Sequence, residues 1–297
     1  MRAVVFGATG TIGSALLPPL ARDFDVVAVS RAARAGGETG VRWVVADALD
    51  GSAVRRAVDG ADVVYYLVHS LGTDDFERRD RVAAQTIAAA AADAGVGRLV
   101  YLGGLGDDAP GLSPHLRSRL ETGRELAAGA VPVTTLRAGM VIGAGSAAFE
   151  TILALVDRLP VMVAPSWLST PTQPIALDDV VRYLVGVATL PAAAGESFDI
   201  GGPEVMTYRE MVARIARMRH RHPLIIEVPV LTPRLSSWWL HLVTPVNAAV
   251  ARPLIEGLRN PTVVRDDRIR ELVPFEPTSF DEAVRAALKS RDARPAP

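Results

Sequence analysis

The chain has 297 residues, enough for one large domain or two modest ones. Hydrophobic residues make up 49%, charged residues 22%, and the formal net charge is −1, which excludes intrinsic disorder and leaves no chain-wide basic field for nucleic acid. There is no cysteine, so disulfides, thiolate nucleophiles, zinc–thiolate sites and iron–sulfur clusters are excluded together, and a reducing, cytoplasmic setting is expected.

Met1 leads directly into an apolar run, so no signal peptide is expected. β-branched, apolar runs follow at 3–6, 25–29, 41–45, 62–68, 99–102 and 133–136. Most are continuous rather than alternating, as in strands covered on both faces. Helical stretches are predicted between most of them, at 11–21, 52–58, 75–94 and 114–127. The alanine-rich third stretch is a strong helix former, and Gly95 stands where its C-cap belongs. Strands alternating with helices predict an α/β fold with a doubly wound parallel sheet.

The rhythm breaks in the second half. Helices are predicted at 177–190 and 207–217, the latter with Thr207 and Glu210 spaced as a capping box. Short strands are predicted at 197–200 and 224–228, and a frayed tail from Ser290. These segments predict a smaller, mostly helical lobe. The expected division is 1–160 for a nucleotide-binding domain and 161–297 for a substrate or partner lobe, with the chain free to cross between them. The longest stretches without a charged residue, 159–177 and 235–251, are broken by prolines, so no transmembrane segment is expected. Trp238, Trp239 and Leu240 read as a buried aromatic group, with peripheral membrane contact as the alternative.

The strongest local signal is Gly7-Ala8-Thr9-Gly10-Thr11-Ile12-Gly13, between a predicted strand and a predicted helix. That is the setting of a Rossmann dinucleotide loop. Gly7 permits the turn, Gly10 lets backbone amides approach a pyrophosphate, and Gly13 lets the helix pack on the sheet. The helix N-terminus adds free N–H groups and partial positive charge. Gly7, Thr9, Gly10, Thr11, Ile12 and Gly13 are therefore the expected phosphate site. A glycine turn without a ligand is the alternative.

An NAD site places an acid at the end of the second strand, for the ribose 2′-hydroxyl. Here that strand ends in Ser30-Arg31, while Asp23 and Asp25 sit at its other end. Arg31, with Arg34 nearby, suits a 2′-phosphate, and Ser30 offers a hydroxyl. NADP(H) is therefore expected over NAD(H), unless Arg31 is a solvated surface charge. Asp47, after the third strand, either meets the adenine amine or caps the next helix.

Several segments together resemble the extended and atypical short-chain dehydrogenases/reductases. They are Ala8-Thr9-Gly10, Asp47, Leu136-Arg137-Ala138-Gly139, residues 173–180 and residues 198–203. Tyr66-Leu67-Val68-His69-Ser70 resembles the NAD(P)H-binding, NmrA-like subgroup. The resemblance implies an NADP(H)-dependent oxidoreductase acting on a small, apolar substrate, with a homodimer as a family expectation. It also implies a catalytic Ser and a Tyr-x-x-x-Lys pair. This chain has one lysine, Lys289, and every tyrosine lies far before it, so the pair is absent. The matching positions are His115 and Arg119, with Gly103 or Gly104 at the place of the Ser.

His115 is the candidate proton donor, and Arg119 is expected to hold ribose hydroxyls or to bias the histidine toward its neutral form. An activated alkene or quinone needs less acid than a carbonyl does. His69, at the end of strand four, points toward the cofactor side. Met162 and Trp167 read as ordinary core packing, with pocket walls as the alternative. His220 and His222 lack further ligands in sequence, so no metal site is expected. Loss of the Ser/Tyr/Lys set also admits a non-catalytic NADP(H)-binding sensor or scaffold, with residues 229–258 as a partner surface.

Overall fold

β-branched residues in an unbroken run pack on both faces of a strand, so each strand needs helices above and below it. The computed structural model describes residues 1–34, 40–73, 75–106, 108, 110–228, 253–254 and 256–293. Its first half contains β1 (Arg2–Phe6), α1 (Thr11–Leu20), β2 (Asp25–Ser30), β3 (Val41–Val45), α2 (Gly51–Val58), β4 (Val63–Tyr66), α3 (Phe76–Asp93), β5 (Arg98–Gly104), α4 (Pro114–Ala127) and β6 (Val133–Ala138). The rest comprises β7 (Val141–Ile142), α5 (Ala147–Arg158), β8 (Val161–Pro165), β9 (Pro171–Thr172), β10 (Ile175–Ala176), α6 (Leu177–Gly186), β11 (Ser197–Ile200), β12 (Met206–Thr207), α7 (Tyr208–Met218), β13 (Leu224–Val228) and α8 (Phe280–Asp292).

The central sheet has the order β11-β6-β5-β4-β1-β2-β3, and every pairing in it is parallel. This is the expected doubly wound α/β sheet. The chain runs outward from β1 to β3, then returns to lay β4 on the other side of β1. Reversal at that point leaves a crevice beyond the carboxyl ends of β1 and β4. Alternation along β1 sends Ala3 and Val5 into one buried cluster and Val4 and Phe6 into another. α1 and α6 complete the first cluster through Leu16, Leu20, Val180 and Leu184. α2, α3 and α4 complete the second through Val54, Ile87 and Leu126.

β11 comes from the second half of the chain yet pairs with β6, and α6 packs beside α1. Sheet and covering helices therefore extend past residue 160. A third cluster holds the helical lobe together, with Phe149, Ile152 and Leu153 of α5, Met211 and Ile215 of α7, and Phe280 and Val284 of α8. Gly95 follows α3 at φ +66°, and Val96 N–H donates back to Ala91 O, which closes that helix as a Schellman motif. The capping box at Thr207 and Glu210 is formed.

Three expectations are corrected. The helix expected over 177–190 stops at Gly186, and Pro191, which cannot continue a helix, opens a separate 3-10 turn. The tail expected from Ser290 is helical through Asp292, because α8 has a full capping box at Ser279 and Glu282 and buries Val284 and Ala287. The strand expected over 62–68 leaves the sheet after Tyr66, which frees residues 67–69 for the crevice. Trp238, Trp239, Leu240 and most of 229–258 lie outside the described residues. Among the described residues no helix is long and apolar enough to cross a membrane.

Candidate functional site

The glycine loop follows β1 and ends at the first turn of α1. Gly7 has φ +83°, and a Cβ there would lie 2.7 Å from the Leu67 backbone. A Cβ on Gly13 would lie 2.2 Å from Gly7 O, so its absence seats α1 against β1. Gly10 differs. It is the N-cap of α1 with an ordinary φ of −76°, and an added Cβ would meet only Gly7 O, at 3.4 Å. The fold does not require glycine at position 10. What its bareness provides is open space in front of α1. No side chain caps that helix and no acid sits in its first turn, so its first amides face the space unpartnered. The cradle therefore fits a pyrophosphate on an observation independent of the motif.

That space belongs to a cavity of about 430 Å³. Gly7, Gly10, Thr11, Ile12 and Gly13 form one wall. The strand ends supply Leu67 and His69 after β4, Gly103 and Gly104 on β5, and Gly139 after β6. α4 supplies His115, Leu116 and Arg119, and the helical lobe supplies Met140, Tyr208, Leu258 and Thr262. Among the described residues no carboxylate lines it.

Of the expected cofactor residues, Thr9, Ser30, Arg31 and Asp47 do not line this cavity. Thr11 Oγ1 donates to Gly145 O at 2.7 Å and so ties α1 to the loop before α5. Ser30 is buried and its hydroxyl donates to the Ala32 carbonyl, so that proton is already committed. Arg31 is exposed just beyond β2. Arg34 places its guanidinium 5.2 Å from the Trp43 ring centroid. Asp47 is exposed and accepts from Leu49 N–H at 2.9 Å, whereas α2 is capped by Asp50. Met162 is buried in the helical-lobe cluster and does not line the cavity, in line with core packing rather than the pocket-wall alternative. The Trp167 side chain lies outside the described residues.

His69, His115 and Arg119 meet at the sheet end of the cavity. His69 Nδ1 accepts from Leu71 N–H at 3.3 Å, which leaves the ring proton on Nε2 in the neutral form. His69 keeps water-accessible surface where it lines the cavity. The protein packed around it and the nearby Arg119 cation push its pKa down to about 4. His115 follows Pro114 in the first turn of α4, whose N-cap is Ser113. Burial, then Arg119 and His69, push its pKa down to about 3. Both rings are therefore neutral at pH 7.

Arg119 is fixed from two sides. Its Nη2 donates to the Leu102 carbonyl, and its guanidinium lies 5.0 Å from the Tyr101 ring centroid. Behind the cavity, buried Asp80 accepts from Ser70 N–H at 2.6 Å and from the Ser118 hydroxyl at 3.3 Å. One α3 side chain thus holds both the loop bearing His69 and the helix bearing His115 and Arg119.

Residues 7–141, a little under half of the chain, match the family described as NAD(P)H-binding. The chain is 26% identical over 251 residues to the mouse (Mus musculus) mitochondrial NADH dehydrogenase [ubiquinone] 1 alpha subcomplex subunit 9, covering 80% of this chain and 65% of that protein. It is 28% identical over 233 residues to the (4-alkanoyl-5-oxo-2,5-dihydrofuran-3-yl)methyl phosphate reductase of Streptomyces griseus, covering 75% and 76%. It spans only 23% of another curated relative, from Mycobacterium bovis. A nucleoside-diphosphate-sugar epimerase from Staphylococcus aureus has the same fold, with TM-score 0.78 at 17% identity over 96% of this chain and 99% of that one.

Glycines stand at the two positions where the sequence resemblance implies a catalytic serine. A Cβ at Gly103 would lie 3.2 Å from the Tyr101 ring, and one at Gly104 would lie 3.1 Å from Leu116. A serine at either position would crowd its neighbours. Sequence reasoning missed Tyr208, which starts α7 and reaches the cavity only through tertiary packing. It also missed Asp80, which reads locally as one more charge in the polar N-terminal part of α3. Buried Asp179 is structural: it accepts from Thr278 N–H at 2.7 Å. His220 and His222 are exposed, and among the described residues no cluster could hold a metal ion.

Proposed function

We propose that the protein is an NADP(H)-dependent oxidoreductase of the atypical, NmrA-like type, reducing a small and largely apolar substrate without a Tyr–Lys pair. One observation carries the reading. A single cavity joins the uncapped amides of α1 to His69, His115 and Arg119. When bound, the dinucleotide supplies hydride. The loop Gly7–Gly13 and the first amides of α1 hold its pyrophosphate. Thr9 lies within that loop, and Thr11 steadies it through Gly145. Arg31, with Arg34 held against Trp43, pairs with the 2′-phosphate, and Asp47 faces the adenine amine. Arg119 lies where ribose hydroxyls or a substrate oxygen would meet a positive charge. His115 is neutral at pH 7, so it acts there as a hydrogen-bonding group and not as an imidazolium acid.

The Streptomyces relative supports reductase chemistry on an electron-poor ring, because the compound in its name carries a C=C bond flanked by two carbonyls. The first test is calorimetric titration with NADPH and NADH at fixed salt, followed by turnover assays. Tighter NADPH binding with turnover is the expected result. Binding of neither nucleotide refutes the proposal.

A second reading follows from the mouse relative, which is named as a subunit of a larger assembly. With the Tyr–Lys pair absent, this chain would then bind NADP(H) as a sensor or scaffold. NADPH binding without turnover of any quinone, enone or aldehyde favours it. A cytoplasmic homodimer is part of the primary proposal, and light scattering of the purified protein tests the dimer.

A further inference from the structure

On the oxidoreductase reading, we propose that the substrate is a conjugated carbonyl compound reduced at its C=C bond, with its carbonyl oxygen held by His69 Nε2–H and the Arg119 cation and with the proton supplied by water.

Reducing an isolated carbonyl to an alcohol puts charge on oxygen and calls for a nearby acid to protonate it. Neither ring nitrogen system supplies one at pH 7, since His69 and His115 are both neutral. Among the described residues Tyr208 is the phenol that lines the cavity, but its hydroxyl is bonded with Thr172 and Thr262, and burial pushes its pKa up. The cavity is instead equipped to stabilise a negative oxygen. Leu71 N–H occupies His69 Nδ1, so Nε2–H is a committed donor. A neutral imidazole donates a hydrogen bond without giving up its proton, which suits an electrophile better than an acid. Arg119 brings a permanent charge, and among the described residues no carboxylate lines the cavity to neutralise it. Its Nη1 is buried without a hydrogen-bond partner. Donors fixed in place before reaction are the ones that stabilise developing charge most.

A conjugated carbonyl compound matches this equipment. The substrate β-carbon accepts hydride from the reduced dihydronicotinamide, forming one C–H bond as the donor C–H bond breaks. The C=C π pair moves to join the α-carbon to the carbonyl carbon, and the carbonyl π pair moves onto oxygen as an enolate. The α-carbon then takes a proton from water, releasing hydroxide and giving the saturated carbonyl compound. Two electrons pass from the nicotinamide to the substrate, and oxygen is never protonated by the protein.

The experiment separates this inference from the reading beneath it. Calorimetry with NADPH is done first, and failure to bind defeats the oxidoreductase reading itself. The NADP⁺-loaded protein is then titrated with 4-nitrophenol, whose oxyanion resembles the enolate, and ionisation is read by absorbance. The bound phenol should be ionised at least tenfold more than in water at the same pH. His69→Phe and Arg119→Gln should each weaken phenolate binding at least fivefold while leaving wild-type folding, checked by circular dichroism. If Arg119→Gln does not fold, Arg119→Lys and the wild-type titration carry the test. With NADPH, cyclohex-2-enone should be consumed at least tenfold faster than benzaldehyde. Phenol bound only in its neutral form, or not bound, overturns the inference. So does faster reduction of benzaldehyde, above all if Tyr208→Phe abolishes it.

Discussion

Tyr101 and Arg119 grip each other at two points. The Arg119 guanidinium lies 5.0 Å from the Tyr101 ring centroid, while the Tyr101 hydroxyl donates to the Arg119 backbone carbonyl at 2.7 Å. The ring belongs to β5 and the arginine to α4, so this pair fixes the helix that carries His115 onto the strand end that floors the cavity. Tyr101 is fully buried and also meets Tyr66, with ring centroids 6.0 Å apart.

Removing only the hydroxyl isolates one half of that grip. Tyr101→Phe should cost about 1 kcal/mol, the usual net worth of an intramolecular hydrogen bond. Tyr101→Ala should cost several times more, roughly 3–5 kcal/mol, because it also empties a buried ring site. Urea denaturation measures both. Equal losses for the two variants would mean that the ring contributes nothing beyond its hydroxyl.

Gly10 and Gly13 should respond oppositely to the same substitution. Gly13→Ala sets a Cβ against backbone at 2.2 Å that cannot swing away, so α1 must shift from β1. A loss of about 1–3 kcal/mol is expected, as for other overpacked sites. Gly10→Ala meets no such obstacle and should melt within a degree or two of wild type. Its methyl nevertheless enters the space before α1, so NADPH affinity should fall at least tenfold by calorimetry. Unchanged affinity in Gly10→Ala would remove the phosphate from this cradle.

Two neighbours at the end of β2 should also separate. Arg31 is exposed beyond the strand, whereas the Ser30 hydroxyl is committed to the Ala32 carbonyl. Arg31→Ala should weaken NADPH binding about tenfold, consistent with one charge-assisted contact, and leave NADH unchanged. Ser30→Ala should alter neither affinity. Equal loss for both nucleotides in Arg31→Ala would place the arginine elsewhere than at a 2′-phosphate.

The sequence carried most of the central sheet because each strand there is an unbroken β-branched run. Val41–Val45 and Pro114–Ala127 have the bounds expected of them. α5 went unread although Phe149, Ile152, Leu153 and Val156 recur at helical spacing and all four are buried. That signal was local and available. The two-residue strands β7, β9, β10 and β12 had none, since pairing with distant segments alone makes them strands. The loop glycines were legible through their spacing. The bias of Arg119 on His115 toward the neutral form was legible too, but the larger effect of burial and the effect of His69 were not, because both depend on tertiary packing.

The two cavity histidines should leave a mark on stability against pH. An unfolded imidazole takes up a proton below about 6.5. In the folded protein His69 does so only near pH 4 and His115 only near pH 3. Between these values the unfolded chain holds more protons, so this contribution to stability is complete above about pH 6.5 and is lost as pH falls toward 4. Buried Asp80 and Asp179 act with the opposite sign, because burial raises both and the folded form keeps its proton to higher pH than the unfolded form does. Their contribution is lost as pH rises above about 3.9, the unfolded value. Over pH 4–6.5 the two effects oppose each other, so the wild-type slope alone does not identify the histidines. The difference between wild type and His115→Phe does. Between pH 7.5 and pH 5 the urea midpoint should drop less in the variant than in wild type, and the wild-type His69 and His115 Hε1 resonances should not titrate above pH 5. A His115 resonance titrating near pH 6.5 would return this ring to the role of an imidazolium acid and remove the neutral pair on which the cavity chemistry is argued.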